Sequence, residues 1–120
     1  MKCGSLLHGR QTIPLFLPEG EEEKTRGYDA LPEGMFAGML FLMGEEKKVI
    51  PVVRSRDELD VLWLDKGHVA AVCSIREGVI GAVGNAFLEL PIGSAEEIGL
   101  HVGSRVEWHL DENEPNEIPS

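Results

Sequence analysis

Glycine and proline cut this chain into short pieces. Fourteen glycines and seven prolines stand among its 120 residues, and each marks a place where a regular element tends to end. The apolar runs left between them are the length of strands, roughly six residues, with no long stretch of helical period. Met39, Phe41 and Met43 alternate with Leu40 and Leu42. The segment from Met35 to Met43 therefore reads as a strand buried on both faces, although Met35, Met39 and Met43 also have the spacing of a helical stripe. Leu59-Asp60-Val61-Leu62-Trp63-Leu64 is a second strand with bulk on both faces. Asp65-Lys66-Gly67 follows as a tight turn with a glycine available for positive φ, and His68 to Ile75 pairs back onto it.

Further strands are expected over Thr12–Leu17, Lys48–Val53, Asn85–Leu90 and Arg105–Leu110. Pro14 suits an edge or a strand beginning. Arg54-Ser55-Arg56-Asp57 reads as a turn, and the glycines at 78, 81 and 84 punctuate a loop. Glu21 to Arg26 suits one or two helical turns, acids first and bases last as the helix dipole favours, with Gly27 as the stop. Ser94 reads as an N-cap, with Glu97 completing a capping box for a second short helix. The expected class is mainly β with some α. It is a curled, mostly antiparallel sheet or small barrel of about seven strands with one or two short helices.

A chain of this length supports one core, and 42% apolar with 27% charged residues is the globular range. Residues 1–110 read as a single β-rich domain, and 111–120 as a disordered acidic tail. Eleven basic residues against 21 acidic give a net charge of −10. Eight of those acids lie in two clusters, Glu19 with Glu21–Glu23, and Asp111, Glu112, Glu114 and Glu117, leaving 13 acids against 11 bases elsewhere. Such an acidic chain repels phosphate backbones, which argues against nucleic acid as a partner. Without a polybasic segment it has no pull toward anionic membranes. No run approaches the ~20 apolar residues of a spanning helix, and none near the start resembles an export signal. The expected location is cytoplasmic, with Cys3 and Cys73 reduced, the first at a ragged N-terminus and the second a small core residue.

Three segments together resemble the family catalogued as domain of unknown function number 192. The first runs from Arg26-Gly27-Tyr28 through Leu31-Pro32 to Gly38-Met39-Leu40-Phe41-Leu42. The second is Leu59 through Val69. The third is Leu88-Glu89-Leu90-Pro91-Ile92-Gly93-Ser94-Ala95, then Gly99 to Val106. The resemblance spans residues 26–107 and implies a small mixed β domain. This chain departs from the family at two places. Members carry Trp-Met and then Asn-Thr just before the Leu-Asp strand, where this chain has Ile50-Pro51-Val52-Val53-Arg54-Ser55. The usual Gly-Leu-Met after the first helix is Gly27-Tyr28-Asp29 here. Many members also begin with an export signal, which is not expected here.

Asp60 and Glu89 stand out because each interrupts an apolar strand. As a pair they could do acid–base work or hold a cation. Structurally, each would instead accept hydrogen bonds from backbone N–H groups or pair with Arg54 or Arg105, as inward carboxylates must. Asp60, Glu89, Arg54 and His68 form the candidate ligand-binding set. His8, His68, His101, His109 and the two cysteines lack the close spacing of metal ligands, so no metal and no cofactor are expected. Gly78 to Gly84 leads into a strand instead of a helix and so makes a poor phosphate cradle. No Gly-x-Ser-x-Gly elbow is present. Met35, Phe36, Met39, Phe41 and Met43 suit a core, or else an adaptable pocket.

The reading favoured is a non-enzymatic binding or accessory domain. It would take a small ligand or a protein partner at a groove beside the Leu59 and Phe87 strands. The alternative is a small hydrolase-like enzyme with Asp60 or Glu89 as general base. No nucleophile or metal motif converges on those acids, which favours binding.

Overall fold

The computed structural model describes residues 1–43, 52–79 and 84–111, with the side chains of 52–54 and 79 outside that description. Seven strands form one sheet in the order β5-β4-β6-β3-β2-β1-β7. They are β1 (Lys2–His8), β2 (Gln11–Leu17), β3 (Gly38–Leu42), β4 (Val52–Asp65), β5 (His68–Val79), β6 (Ala86–Pro91) and β7 (Glu107–Leu110). Two short helices, α1 (Gly20–Arg26) and α2 (Ser94–Glu97), and a 3-10 turn over Gly27–Ala30 complete it. The sheet is curled but not closed. The start of β5 meets the segment that leads into β7 through an isolated bridge between His68 and Arg105.

Period-two alternation decides what faces inward. Leu6, Leu15, Leu40, Leu62, Leu64, Leu88 and Leu90 fill the concave side together with Ala95, Ile98, Leu100 and Val106. Leu59, Val61, Trp63 and Phe87 point to the convex side with Phe41, Ala71, Cys73 and Ile75. There Phe41 stacks on Phe87 with ring centroids 4.4 Å apart. The segment 27–37 crosses that convex side, packing Tyr28, Leu31 and Ala37 against Met39. Among the described residues, Trp63 Nε1 is the one buried side-chain nitrogen or oxygen with no hydrogen-bond partner.

The β4–β5 hairpin forms as expected. Lys66 and Gly67 both take positive φ, +49° and +81°, the geometry of a two-residue turn matched to strand twist. β2 and β3 are parallel, the exception to the antiparallel expectation. A parallel pair needs a long crossover, and residues 18–37, with α1 and the 3-10 turn, provide it.

Several boundaries differ from the expectation. The N-terminus is not ragged. Lys2 to His8 is a strand paired on both sides, with β2 and β7, and Leu6 is wholly buried. It has little apolar signal because backbone ladders hold it more than side chains do. Cys3 is therefore half-buried in β1, and both cysteines are free. Residues 54–57 are not a turn between strands. β4 runs through them, advancing from Arg54 to Leu59 while β5 moves only from Glu77 to Ile75. The extra residues bulge outward. The Arg56 N–H is met by the Asp29 carboxylate at 3.2 Å, and the Ser55 hydroxyl bonds the Asp57 carbonyl. Ser94 is not an N-cap either. Gly93 takes that position at φ +83°, without a side-chain cap bond, and Ser94 is the first, buried helical residue. The strand expected from Met35 begins at Gly38. Met35 and Phe36 are exposed, while Met39 is core and Phe41 and Met43 are half-buried. The Lys48 to Pro51 stretch and most of the expected tail, 112–120, lie outside the described residues. Asp111 is still tied down, its N–H 2.9 Å from the Cys3 carbonyl. No helix among the described residues is long and apolar enough to cross a membrane.

Because Gly67 sits at φ +81°, Gly67→Ala should lose about 1–2 kcal/mol of stability. Urea unfolding is the check. An unchanged midpoint would mean that the turn does not hold the hairpin register.

Candidate functional site

Asp60 and Glu89 lie on opposite faces of the sheet. Asp60 pairs with Leu90, and Val61 with Glu89, so the pleat turns the first carboxylate to the concave side and the second to the convex. They do not form an acid–base pair. His68 stands at the hairpin end opposite Asp65, five residues from Asp60 along β4 and so about 17 Å away. Its ring nitrogen Nδ1 is 3.2 Å from the Lys66 carbonyl. Arg54 lies opposite Glu77 in the backbone ladder, and its side chain is outside the described residues. The four candidates therefore do not meet at one point.

Asp60 is 4% exposed and ties three elements together. Its Oδ1 accepts from the Ser74 hydroxyl at 2.9 Å and its Oδ2 from the Ala95 N–H at 3.0 Å. Ala95 is the second residue of α2, so β4 supplies the carboxylate that satisfies one of the helix's unpaired first-turn N–H groups. Ser74 reaches Asp60 because Ala70 is an extra residue on β5. Trp63 pairs with Ala71 but Leu64 with Val69, and this bulge shifts everything beyond it by one.

Beside Asp60 the curl of the sheet leaves a gap. The concave side of edge strand β5, carrying Val72 and Ser74, faces α2 and the 99–102 turn across an open groove of about 650 Å³. Asp60 and Ser74 line it, Glu96 and His101 flank it, and the exposed Val72, Ile92 and Val102 make its apolar walls. Ser74, Val72, Ile92 and Val102 were not expected as site residues. Only the register of an antiparallel hairpin hinted at a partner for Asp60, and without the bulge it would have indicated Cys73.

Glu89 is 5% exposed. Its Oε1 accepts the Tyr28 N–H at 3.1 Å, and Tyr28 in turn donates its hydroxyl to the Ala37 carbonyl at 2.8 Å. Gly27, at φ +58°, brings the backbone close, since a Cβ there would stand 3.4 Å from Glu89 Oε1. Burial pushes the Glu89 carboxyl up to about 7 from its usual 4.5; the Tyr28 N–H opposes the rise and the Asp29 charge adds to it. Among the described residues no three His, Cys, Asp or Glu side chains cluster closely enough to hold a metal ion.

Two solved structures share this fold. One, from Sinorhizobium meliloti 1021 and described as a "putative transcription regulator", matches with a TM-score of 0.70 at 20% identity, covering 89% of this chain and 92% of its own. The other, a protein of unknown function from Novosphingobium aromaticivorans DSM 12444, matches with a TM-score of 0.58 at 21% identity over 88% and 84%. At these identities the likeness shows the fold alone. No family model and no curated protein matches the chain.

Asp60→Ala strands the Ala95 N–H and the Ser74 hydroxyl, and should cost about 1–3 kcal/mol. Asp60→Asn should cost less, because its oxygen can keep Ala95 while the Ser74 hydroxyl reverses to accept. Equal losses in urea unfolding would contradict this assignment of the two bonds. Glu89 makes the opposite kind of contribution. Its folded pKa lies above the unfolded one, so its stabilising proton is fully present below pH 4.5 and is lost as pH rises toward 7. At 1.36 kcal/mol per unit, the stake is on the order of 3 kcal/mol. Glu89→Gln should therefore gain on the parent as pH rises through that window. A flat stability difference between the two proteins would refute the burial account.

Proposed function

We propose that this chain is a non-catalytic binding or accessory domain that seats a small ligand in the groove over Asp60, and that it is a divergent member of the family it resembles. One observation carries the reading: a buried carboxylate lines an open groove whose walls are exposed aliphatic side chains. Exposed apolar patches and convergent polar groups in a concavity are what small-ligand sites share. A carboxylate has about four acceptor positions, and the two bonds from Ser74 and Ala95 leave Asp60 able to take a donor. The ligand class that fits has an aliphatic body and an N–H or O–H donor. Asp60 and Glu96 beside it disfavour anions. A net charge of −10 supports excluding nucleic acid as a partner, and two unbridged thiols are compatible with a cytoplasmic location.

Family membership draws support from where the three resembling segments fall. They supply the 3-10 turn, β3, the second half of β4, Leu88–Pro91 of β6 and the first two residues of α2, which surround both carboxylates.

The enzyme alternative has one observation in its favour, a Glu89 carboxyl near 7, the range of a working general base. Against it, Glu89 lines neither groove beside β4 and is flanked in the ladder by Met39 and Val61. A base needs access to its substrate's proton.

Titration of the labelled protein with hexylamine and with hexanol, followed by amide chemical shifts, tests the reading. Shifts should concentrate at Val72, Ser74, Ile92, Ala95 and Val102. Asp60→Asn should weaken the amine roughly tenfold and leave the alcohol nearly unchanged, since a hydrogen bond to a charged group is worth about 1.5–3 kcal/mol. Shifts scattered away from the groove would sink the proposal. So would turnover of a chromogenic ester that disappears in Asp60→Asn.

A further inference from the structure

A second groove opens on the other side of β4. It has a volume of about 590 Å³ and lies between the 28–36 segment, the outward bulge of β4 and the start of α2. Tyr28, Met35, Phe36 and Ile92 give it an apolar lining, and Phe36 and Ile92 are 44% and 51% exposed. Three of the seven large hydrophobics exposed among the described residues, Met35, Phe36 and Ile92, gather here. Such a concentration marks an interaction surface.

The electrostatics choose the occupant. Asp29, Glu33, Asp57, Glu58 and Glu97 line the same groove against a single cation, Arg56. Arg56 is already used, 3.5 Å from Asp29 and 3.8 Å from Glu33. Asp57, Glu58 and Glu97 have no ion pair among the described residues. A second copy of this chain, itself carrying −10, would be repelled. A bare metal ion would want convergent ligands, and the described residues present no such cluster. The carboxylates instead share the groove's lining with Tyr28, Met35, Phe36 and Ile92, which suits an extended chain that carries several cations with apolar side chains between them.

We propose that this groove docks an extended segment of a partner protein in which arginine or lysine alternates with bulky apolar residues. The apolar side chains seat against Phe36, Met35 and Ile92, and the cations reach Asp57, Glu58 and Glu97. Attraction of this kind raises the association rate and confers selectivity, while the buried apolar anchors hold the complex.

The test uses fluorescence anisotropy with a fluorescein-labelled peptide alternating arginine and leucine, about six residues and so roughly 20 Å when extended. The arginine peptide should bind, and the same peptide with glutamate for arginine should not. Raising salt from about 50 to about 300 mM should weaken binding at least tenfold, since exposed charge pairs are screened. The triple variant Asp57→Asn, Glu58→Gln, Glu97→Gln should weaken it about tenfold and flatten the salt dependence. Phe36→Ala should weaken it by a similar factor at both salt concentrations. Glu21→Gln with Glu22→Gln, neutralising two exposed acids of α1 outside the groove, should leave affinity unchanged. Equal losses in the α1 variant would reduce the effect to general attraction toward an acidic protein and overturn the proposal. It would also fall if Phe36→Ala had no effect or if spermidine competed as tightly as the peptide. Self-association in sedimentation that Phe36→Ala abolishes would assign the groove to a second copy and overturn it likewise.

Discussion

β6 is buried along Ala86 to Leu90, so protein has to cover both faces of the sheet's middle. The concave face is covered by the sheet's own curl, with Leu88 and Leu90 meeting Leu15, Leu17 and the α2 side chains. Curling cannot cover the convex face. Phe87, Val61 and Trp63 there need a separate lid, and the 27–37 segment provides it with Tyr28 and Leu31. Fully burying side chains of that size is worth about 1.5–3 kcal/mol each, enough to decide where the crossover runs. That crossover returns beside β2 in the same direction, and the parallel pair follows.

Each cover is hooked down by one carboxylate. Asp60 reaches out of the concave face to the Ala95 N–H of α2, and Glu89 reaches out of the convex face to the Tyr28 N–H of the lid. The two acids that interrupt apolar strands are thus anchors for what packs on either side of β4 and β6. Their surroundings nevertheless differ. Asp60 lies one strand in from the edge strand β5, laddered to Ser74 and Leu90, and the groove beside α2 reaches it from the concave face. Glu89 sits in the middle of the ladder, where burial raises its carboxyl. What covers each face separates an acid that a groove reaches from one enclosed beneath the 27–37 segment.

The grooves share this origin. A curled sheet that stops short of closure leaves the concave side of its last strand uncovered, which exposes Val72 and Ser74 beside α2. The bulge in β4 sets Arg56, Asp57 and Glu58 beside the lid, with the Arg56 N–H on Asp29, and together they line the acidic groove. Ile92, between β6 and α2, lines both. The apolar surface left exposed therefore concentrates where the architecture is incomplete.

Alternation, turn residues and breakers were enough to read the β class, the two short helices and the β4–β5 hairpin, because these depend on side-chain period and local φ preferences. The count of about seven strands agrees through a different set: β1 was not among those expected, and Val52–Val53, expected to end a separate strand, belong to β4. The same pattern marked Asp60 and Glu89 as carboxylates in need of donors. It did not show β1, whose stability comes from ladders on both sides, nor the cap of α2, whose acceptor arrives from a strand 35 residues away in the chain. An unbulged hairpin would have set Cys73 across from Asp60. Ala70 slips the register by one and sets Ser74 there instead, which puts a hydroxyl in the groove and turns the thiol to the opposite face. The sequence by itself determined most of the segments that form strands, the one hairpin that its turn residues close, and which residues resist burial. Register, the covering of the second face and the gap left by an unclosed sheet were decided only by the tertiary structure, because each depends on contacts between distant segments that no local pattern encodes.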